Sequence, residues 1–269
     1  MIWIIGGTKD SRSILDEVLK VREDEIIVST ATEYGGKLLE DVAKNEQVHI
    51  ISERLNVLQI ESMILEKKID LIIDASHPYA QNISNTVISM VSYLNEKAAA
   101  GKEIKYVRFE RKMIDYGNED VFQFNNLQEL IKFLNKVENK NVLSTLGSNT
   151  LAEIKEIRNK NNLFVRILPT TTSIQSAEEL GYLPKNIIAM QGPFSKNMNI
   201  AMLKDLKIDY LITKESGETG GELQKVEACQ ECGVKILAIK RPVLNYGISF
   251  HAIEELIKYI AEPLESEKC

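Results

Sequence analysis

The chain has 269 residues, 44% of them hydrophobic and 27% charged, with a formal charge of −6 from 33 Lys+Arg against 39 Asp+Glu. A chain of this size buries roughly 70–75% of its unfolded surface in one or two domains, reads as an ordinary soluble globular protein, and lacks the basic excess of a nucleic-acid binder. No run approaches the about 18 apolar residues of a membrane span, the opening MIWIIGG is too short for a signal-peptide core, and three cysteines make no disulfide framework; a cytoplasmic protein is expected.

Apolar strand-like runs alternate with amphipathic ones from the first residue. Met1–Ile5 ends in Gly6, Gly7 and Thr8, which open a helix over Ser11–Val21 with Arg12 in its first turn. Strands at Glu25–Thr30 and Gln47–Ile51, a helix at Val57–Lys67 and a strand at Ile69–Asp74 follow. The last of these runs into DASHPYA, the densest polar cluster of the first half, ahead of a helix over Ala80–Glu96. Proline disfavours the helical region for the residue before it and is well placed at a helix start. His77 is therefore expected to be extended, where it could bind a carboxylate or donate a proton, flanked by Asp74, Ser76 and Tyr79. The strand Ile104–Phe109 carries Arg108, with Arg111 and Lys112 beyond it. Arginine's planar fork suits acidic groups, and a solvated charge run is the plain alternative.

The polar segment Lys112–Asn126 interrupts the pattern, and a second series follows. Its strands are Asn141–Thr145, Leu163–Leu168, Asn186–Met190, Ile208–Thr213 and Lys235–Ile239. Its helices are Leu127–Val137, Thr150–Lys160, Ser173–Leu180, Ser195–Leu206, Glu222–Cys232 and, from apolar residues at helical spacing, His251–Ala261. Three strands end in loops suited to an anion: the Gly147-Ser148 turn, Gly192-Pro193-Phe194-Ser195, and KESGETGG from Lys214 to Gly221. Glycines let backbone approach a ligand, and helix N-termini point unpaired N–H groups at it. Each also has an ordinary reading: a tight turn at Gly6-Gly7, an N-cap at Ser195, an ion pair of Arg12 with Asp10 or Asp16. Lys214 opens its loop, whereas the lysine of a Walker A motif closes it. Cys229 and Cys232 form a lone C-x-x-C with no second pair or nearby His, and no metal is expected.

Continuous apolar strands alternating with helices imply an α/β fold of parallel sheets covered on both faces. Two Rossmann-like domains are expected, 1–115 and 116–269, with the loops above at the strands' carboxyl ends and the site in the cleft between domains.

In their order, GGT with Arg12, DASHPYA, YVRFER, the turn at Gly147, MQGPFS, TKESGETGG, Val226–Gly233 and Lys240-Arg-Pro242 resemble the precorrin-6A reductase family of cobalamin biosynthesis, over nearly the whole chain. The resemblance implies NADH or NADPH bound beside a modified tetrapyrrole, and reduction of one double bond of precorrin-6A or its cobalt form by hydride, with a proton added. It assigns the cofactor to Gly6, Gly7 and Thr8, to Gly147 and Ser148, to Gly192, Pro193, Phe194 and Ser195, and to Lys214, Ser216, Gly217, Gly220 and Gly221. The substrate's carboxylates or edge fall to Arg12, Ser76, His77, Tyr79, Arg108 and Arg111, and Lys214, His77, Tyr79 or water supplies the proton. Glu215 replaces the expected aspartate and Ser76 the usual threonine, each keeping the functional group. The tetrapyrrole is the expected partner, without nucleic acid or membrane, in a monomer or weak dimer. Two other readings stand beside this one: a cofactor-free tetrapyrrole synthase of the uroporphyrinogen-III synthase kind, and a dinucleotide-responsive module without turnover. Glu33, after the second strand, would favour NADH if the adenosine sat in the first domain.

Overall fold

The strands β1 (Ile2–Ile5), β2 (Ile26–Ser29) and β4 (Leu71–Asp74) are buried at every position, as strands covered on both faces are. In the computed structural model, which describes residues 1–31, 35–36, 39, 41–98, 103–117 and 120–261, they join β3 (Val48–Ile51), β5 (Lys105–Phe109) and β12 (Ile248–Phe250) in a parallel sheet ordered β12-β5-β4-β1-β2-β3. A second parallel sheet contains β6 (Val121–Phe124), β7 (Asn141–Ser144), β8 (Asn162–Ile167), β9 (Ile187–Ala189), β10 (Tyr210–Lys214) and β11 (Lys235–Ile239), ordered β6-β11-β10-β7-β8-β9. Glu33 lies outside the described residues.

Side-chain alternation along β1 builds two cores at once. Ile2 and Ile4 face α1 (Lys9–Val21) through Ile14, Leu15 and Val18. Trp3 and Ile5 face the opposite layer, α2 (Val57–Glu66) and α3 (Gln81–Lys97), through Ile60, Met63, Val87 and Val91. The Trp3 indole N–H is satisfied by Ser29 Oγ at 2.8 Å. Reciprocal caps fix two helix starts: Thr8 with Ser11 for α1, and Asn56 with Gln59 for α2. The second sheet carries α4 (Leu127–Leu134), α5 (Leu151–Ile154), α6 (Thr171–Glu179), α7 (Lys196–Asp205) and α8 (Glu222–Cys232). The single helix expected over Thr150–Lys160 is α5 followed by a 3-10 segment, Lys155–Asn159. No helix among the described residues is long and apolar enough to cross a membrane.

The chain divides into two compact units, Met1–Arg111 with the chain from Val243 onward, and Lys112–Pro242. The first break falls beside the expected 115/116 division, but the assignment of everything after 116 to the second domain is corrected. β12 pairs with β5, Ile248, Ser249 and Phe250 opposite Val107, Arg108 and Phe109. The helix α9 (Ile253–Ala261) then seats fully buried Leu256 and Ile260 in the same core as Ile14, Leu15 and Val18. Neither β6 nor β12 was expected from the sequence. Both are edge strands with exposed positions, so neither shows the continuous apolar run of a strand buried on both faces.

Packing of α9 on α1 is open to direct measurement. Leu256→Ala is expected to cost about 2–5 kcal/mol, the range for a fully buried leucine, in urea unfolding followed by the fluorescence of Trp3, which reports on this unit. A loss below about 1 kcal/mol would mean that α9 is not part of this core.

Candidate functional site

Strand order reverses between β1 and β4 in one sheet and between β7 and β10 in the other. At such switch points the following segments diverge to opposite faces and leave a crevice beyond the strands' carboxyl ends. Gly6 to Thr8 and Ala75 to Tyr79 flank the first crevice; Thr145 to Ser148 and Glu215 to Gly221 flank the second.

In the first unit, the loops are braced from behind. Thr8 Oγ1 accepts the Ser11 N–H and donates to the Ala75 carbonyl at 2.9 Å, tying the two crevice walls together. Asp74 is fully buried and accepts from the Ser76 N–H (3.0 Å), Ser84 Oγ (2.6 Å), the Tyr106 hydroxyl (2.7 Å) and Arg108 Nη1 (2.7 Å). Burial, then the charge of Asp74, raises the Tyr106 phenol above its ordinary value, so it remains a donor. Arg108, 1% exposed, also donates to Ser76 Oγ and Glu110. Arg111 pairs with buried Asp10 in the first turn of α1. Arg12 binds Asp16 and Asp41. The three arginines expected on substrate carboxylates are thus committed to carboxylates of the protein. What the bracing presents outward is His77, which is exposed, with Tyr79, ring centroids 5.8 Å apart. A larger, mainly apolar pocket of about 450 Å³ in this unit is lined by Lys105, Tyr106 and Ile248, at the amino ends of β5 and β12 and away from the crevice.

In the second unit the crevice holds a pocket of about 240 Å³, lined by Gly147 after β7, Arg166 of β8, Gly192, Pro193 and Phe194 after β9, and Gly220, Gly221 and Lys225 around the start of α8. Gly147 has φ 82 and ψ −176, a region essentially reserved for glycine. Gly221 has φ 69, and a Cβ there would stand 2.8 Å from Pro193 Cβ, so glycine lets the two loops close on each other. The KESGETGG loop is folded by buried Glu222, which accepts the Gly217 N–H at 2.6 Å and the Tyr116 hydroxyl.

Two cations enter this pocket from inside the fold. Arg166 lies 4.6 Å over the Phe194 ring and donates through Nη1 to Asn199 Oδ1 at 2.9 Å. Lys225, 7% exposed, donates to Thr213 Oγ1 at 2.6 Å. Among the described residues neither forms an ion pair with a carboxylate. Burial, with the charge of Arg166, pushes the Lys225 amine down to about 8 against the pull of Glu222 and Cys229. Burial pushes Arg166 down to about 10. Glycine backbone, an aromatic face and two cations lacking carboxylates fit a phosphorylated nucleotide.

Six of the residues expected on the cofactor line this one pocket: Gly147, Gly192, Pro193, Phe194, Gly220 and Gly221. Ser195 caps α7 through the Met198 N–H, and Ser148 sits 3.1 Å from Ser173 Oγ. Gly6, Gly7 and Thr8 belong to the other unit. Lys214 does not line the pocket. Thr213 turns toward Lys225, so alternation sends Lys214 to the opposite face, where burial lowers its pKa and Glu153 of α5 opposes the shift. Ser216 and Gly217 are buried beside it and also do not line the pocket. Arg166 and Lys225 escaped the sequence reading because they sit in a strand and a helix instead of a loop. A signal was present: Arg166 is the lone charge within the apolar run Leu163–Leu168, and Lys225 shares the buried stripe of Glu222, Val226 and Cys229.

Residues 1–261 match the family described as precorrin-6x reductase CbiJ/CobK. The chain is 38% identical over 261 residues to the cobalt-precorrin-6A reductase of Methanococcus maripaludis, spanning 96% of this chain and 98% of that one. It is 36% identical over 261 residues to the cobalt-precorrin-6A reductase of Methanocaldococcus jannaschii, spanning 97% and 98%. The solved structure of CobK precorrin-6A reductase shares the fold, with a TM-score of 0.74 over 97% of this chain and 95% of that one at 16% identity.

Protonated Lys225 attracts an anion and neutral Lys225 does not. With its amine near 8, affinity for inorganic sulfate, whose charge is constant over the range, is expected to fall about tenfold as pH rises from about 7 to about 9. Lys225→Met should abolish most of that pH dependence in a thermal-shift titration. A pH-independent affinity in the unaltered protein would show that Lys225 does not serve the pocket.

Proposed function

The chain belongs to the precorrin-6x reductase family (CbiJ/CobK), and from that membership we propose that it reduces one double bond of cobalt-precorrin-6A to give cobalt-precorrin-6B, with a nicotinamide dinucleotide as hydride donor. It is an oxidoreductase of cobalamin biosynthesis. The cobalt-bearing substrate is supported by the names of the relatives from Methanococcus maripaludis and Methanocaldococcus jannaschii. The observation that carries the cofactor reading is the pocket holding Arg166 and Lys225 without carboxylate partners, at the switch point where dinucleotides bind in such sheets.

When bound, the nicotinamide supplies the hydride, and the residues of this chain position and charge-match what binds. Gly147, Gly220 and Gly221 bring backbone close to the diphosphate, while Arg166 and Lys225 compensate its charge. In the first unit, His77 and Tyr79 are the groups that meet the macrocycle's carboxylates or edge, held in place by the Asp74–Arg108 network behind them. The proton donor is proposed among His77, Tyr79 and Lys214; of these Lys214, on the face of β10 away from the nucleotide pocket, is the buried amine. Burial lowers its pKa toward the working pH, which is how an amine becomes a useful acid.

Mixed anaerobically with cobalt-precorrin-6A and a reduced nicotinamide nucleotide, the protein should consume nicotinamide absorbance only when both enzyme and macrocycle are present. Absence of oxidation with either nucleotide, on cobalt-bearing and metal-free substrates alike, would sink the reductase reading. Lys214→Met should lower kcat about 10²–10⁴-fold, the range for a lost general acid, with nucleotide affinity held within about twofold. An unchanged kcat would remove Lys214 from proton transfer.

A further inference from the structure

We propose that Glu222, together with Tyr116, is a positioning residue for the reaction: the pair fixes the turn that follows Lys214 and thereby the place its amine takes. The proposal rests on Lys214 as a proton donor in the reading above and adds the side chains that hold it.

Glu222 opens α8 and is 1% exposed. A buried carboxylate is costly unless its oxygens are satisfied, and an acid in a helix's first turn already serves the helix from the surface. The oxygens of Glu222 are used elsewhere: Oε2 accepts the Gly217 N–H at 2.6 Å, five residues back, and Oε1 accepts the Tyr116 hydroxyl. Both therefore hold chain outside the helix. Gly217, at φ 74, takes a conformation that favours glycine, and its carbonyl accepts the Gly220 N–H at 3.1 Å. The other end of the turn is anchored at Glu215, whose N–H donates to the Ile239 carbonyl at 3.1 Å and whose carboxylate accepts from Gln123 Nε2 at 2.6 Å. Only Ser216 lies between the anchors, and Glu215, Ser216 and Gly217 are all buried. Pairing with Ile239 fixes the Lys214 backbone, but a flexible stem separates that backbone from the amine. Lysine rotamers are restricted only by what packs against them, and the anchored turn is the buried chain next to this one. A reacting group misplaced by about 1 Å costs about 10²-fold in rate, so the rigidity of the turn bears on turnover. Tyr116 belongs to the segment that enters the second unit ahead of β6, and its hydroxyl makes that segment part of the support.

A double-mutant cycle on the full chain tests this, with anaerobic turnover of cobalt-precorrin-6A by a reduced nicotinamide nucleotide as the assay. Glu222→Ala is expected to lower kcat about 10–100-fold, the scale of a misplaced reacting group, while the KM for nucleotide stays within about twofold. Glu222→Gln should recover most of the rate, because its amide oxygen accepts the Gly217 N–H and its NH2 donates to the Tyr116 oxygen. Tyr116→Phe, which removes one of the two supports, should cost about three- to tenfold in kcat. In a Lys214→Met background neither Glu222→Ala nor Tyr116→Phe should lower kcat further, since no amine remains to be placed. Equal fold losses with and without Lys214 would overturn the proposal, because Glu222 would then act on another group. An unchanged kcat in Glu222→Ala, or a raised nucleotide KM alone, would overturn it too; a lowered kcat in Lys214→Met would then leave the proton-donor reading standing. An unchanged kcat in Lys214→Met would instead remove Lys214 from proton transfer, and the positioning role with it. If Glu222→Ala lacks a folded circular dichroism spectrum, the Tyr116→Phe cycle decides, and a loss there that is absent or independent of Lys214 overturns the proposal.

Discussion

A strand flanked on one side by the strand that follows it, and on the other by the fourth, forces the chain to leave in opposite directions. Right-handed crossovers then send the helices to opposite faces. In the first unit this is visible in the cores: α1, after β1, packs with Ile2 and Ile4, while α2 and α3 pack with Trp3 and Ile5. The crevice is therefore a consequence of parallel pairing and handedness before any functional side chain is considered. Its walls are then tied by a threonine in each unit. Thr8 donates to the Ala75 carbonyl in the first, and Thr145 donates through both N–H and hydroxyl to the Ile212 carbonyl in the second. A threonine after the first strand holds the loop to the fourth, leaving the glycines beside it to face the crevice.

The two crevices treat buried charge differently. Removing an ion from water costs several kcal/mol unless a partner compensates it. In the first unit every buried arginine has a carboxylate: Arg108 has Asp74 and Glu110, Arg111 has Asp10. Their hydrogen-bonding capacity is turned inward, and the product is rigidity of the Ser76–Tyr79 loop. In the second unit Arg166 and Lys225 have hydroxyl, amide and aromatic neighbours instead of an ion pair. The depressed pKa of Lys225 registers that uncompensated cost. An anionic ligand would supply the missing partner, so part of its binding energy is already stored in the folded protein's unsatisfied charge.

This contrast also explains what the sequence could and could not reveal. Strands buried on both faces announce themselves as apolar runs, and glycines such as Gly147 and Gly221 mark backbone that other residues cannot adopt. Those features are local. Whether an arginine is a ligand's partner or the scaffold's depends on carboxylates far away in sequence: Asp74 lies 34 residues from Arg108, and Asp10 lies 101 from Arg111. Nothing near VRFER distinguishes the two fates. The edge strands failed for a related reason, since their partners come from the opposite half of the chain and their exposed positions dilute the apolar pattern.

The return of β12 to the first sheet links chain completion to the Ser76–Tyr79 loop. β6, the first strand of its unit, pairs with β11, the last, whereas β12 leaves β11 to pair with β5, so the first sheet receives its sixth strand only after the chain has passed through the second unit. Closing β12 onto β5 joins residues far apart, as in the contact of His251 Nδ1 with the Glu110 carbonyl across 141 positions. The entropy cost of such a closure grows only slowly with loop length, and the burial of Leu256 and Ile260 against α1 offsets it. β5 carries Arg108, whose register partner on β12 is Ser249 and whose guanidinium lies 4.9 Å over the Tyr246 ring. The arginine that braces Ser76 is therefore enclosed by residues made after the whole second unit. The His77 loop gains its full support only when the C-terminal segment has returned, which makes an edge strand remote from the crevice part of the apparatus that holds it.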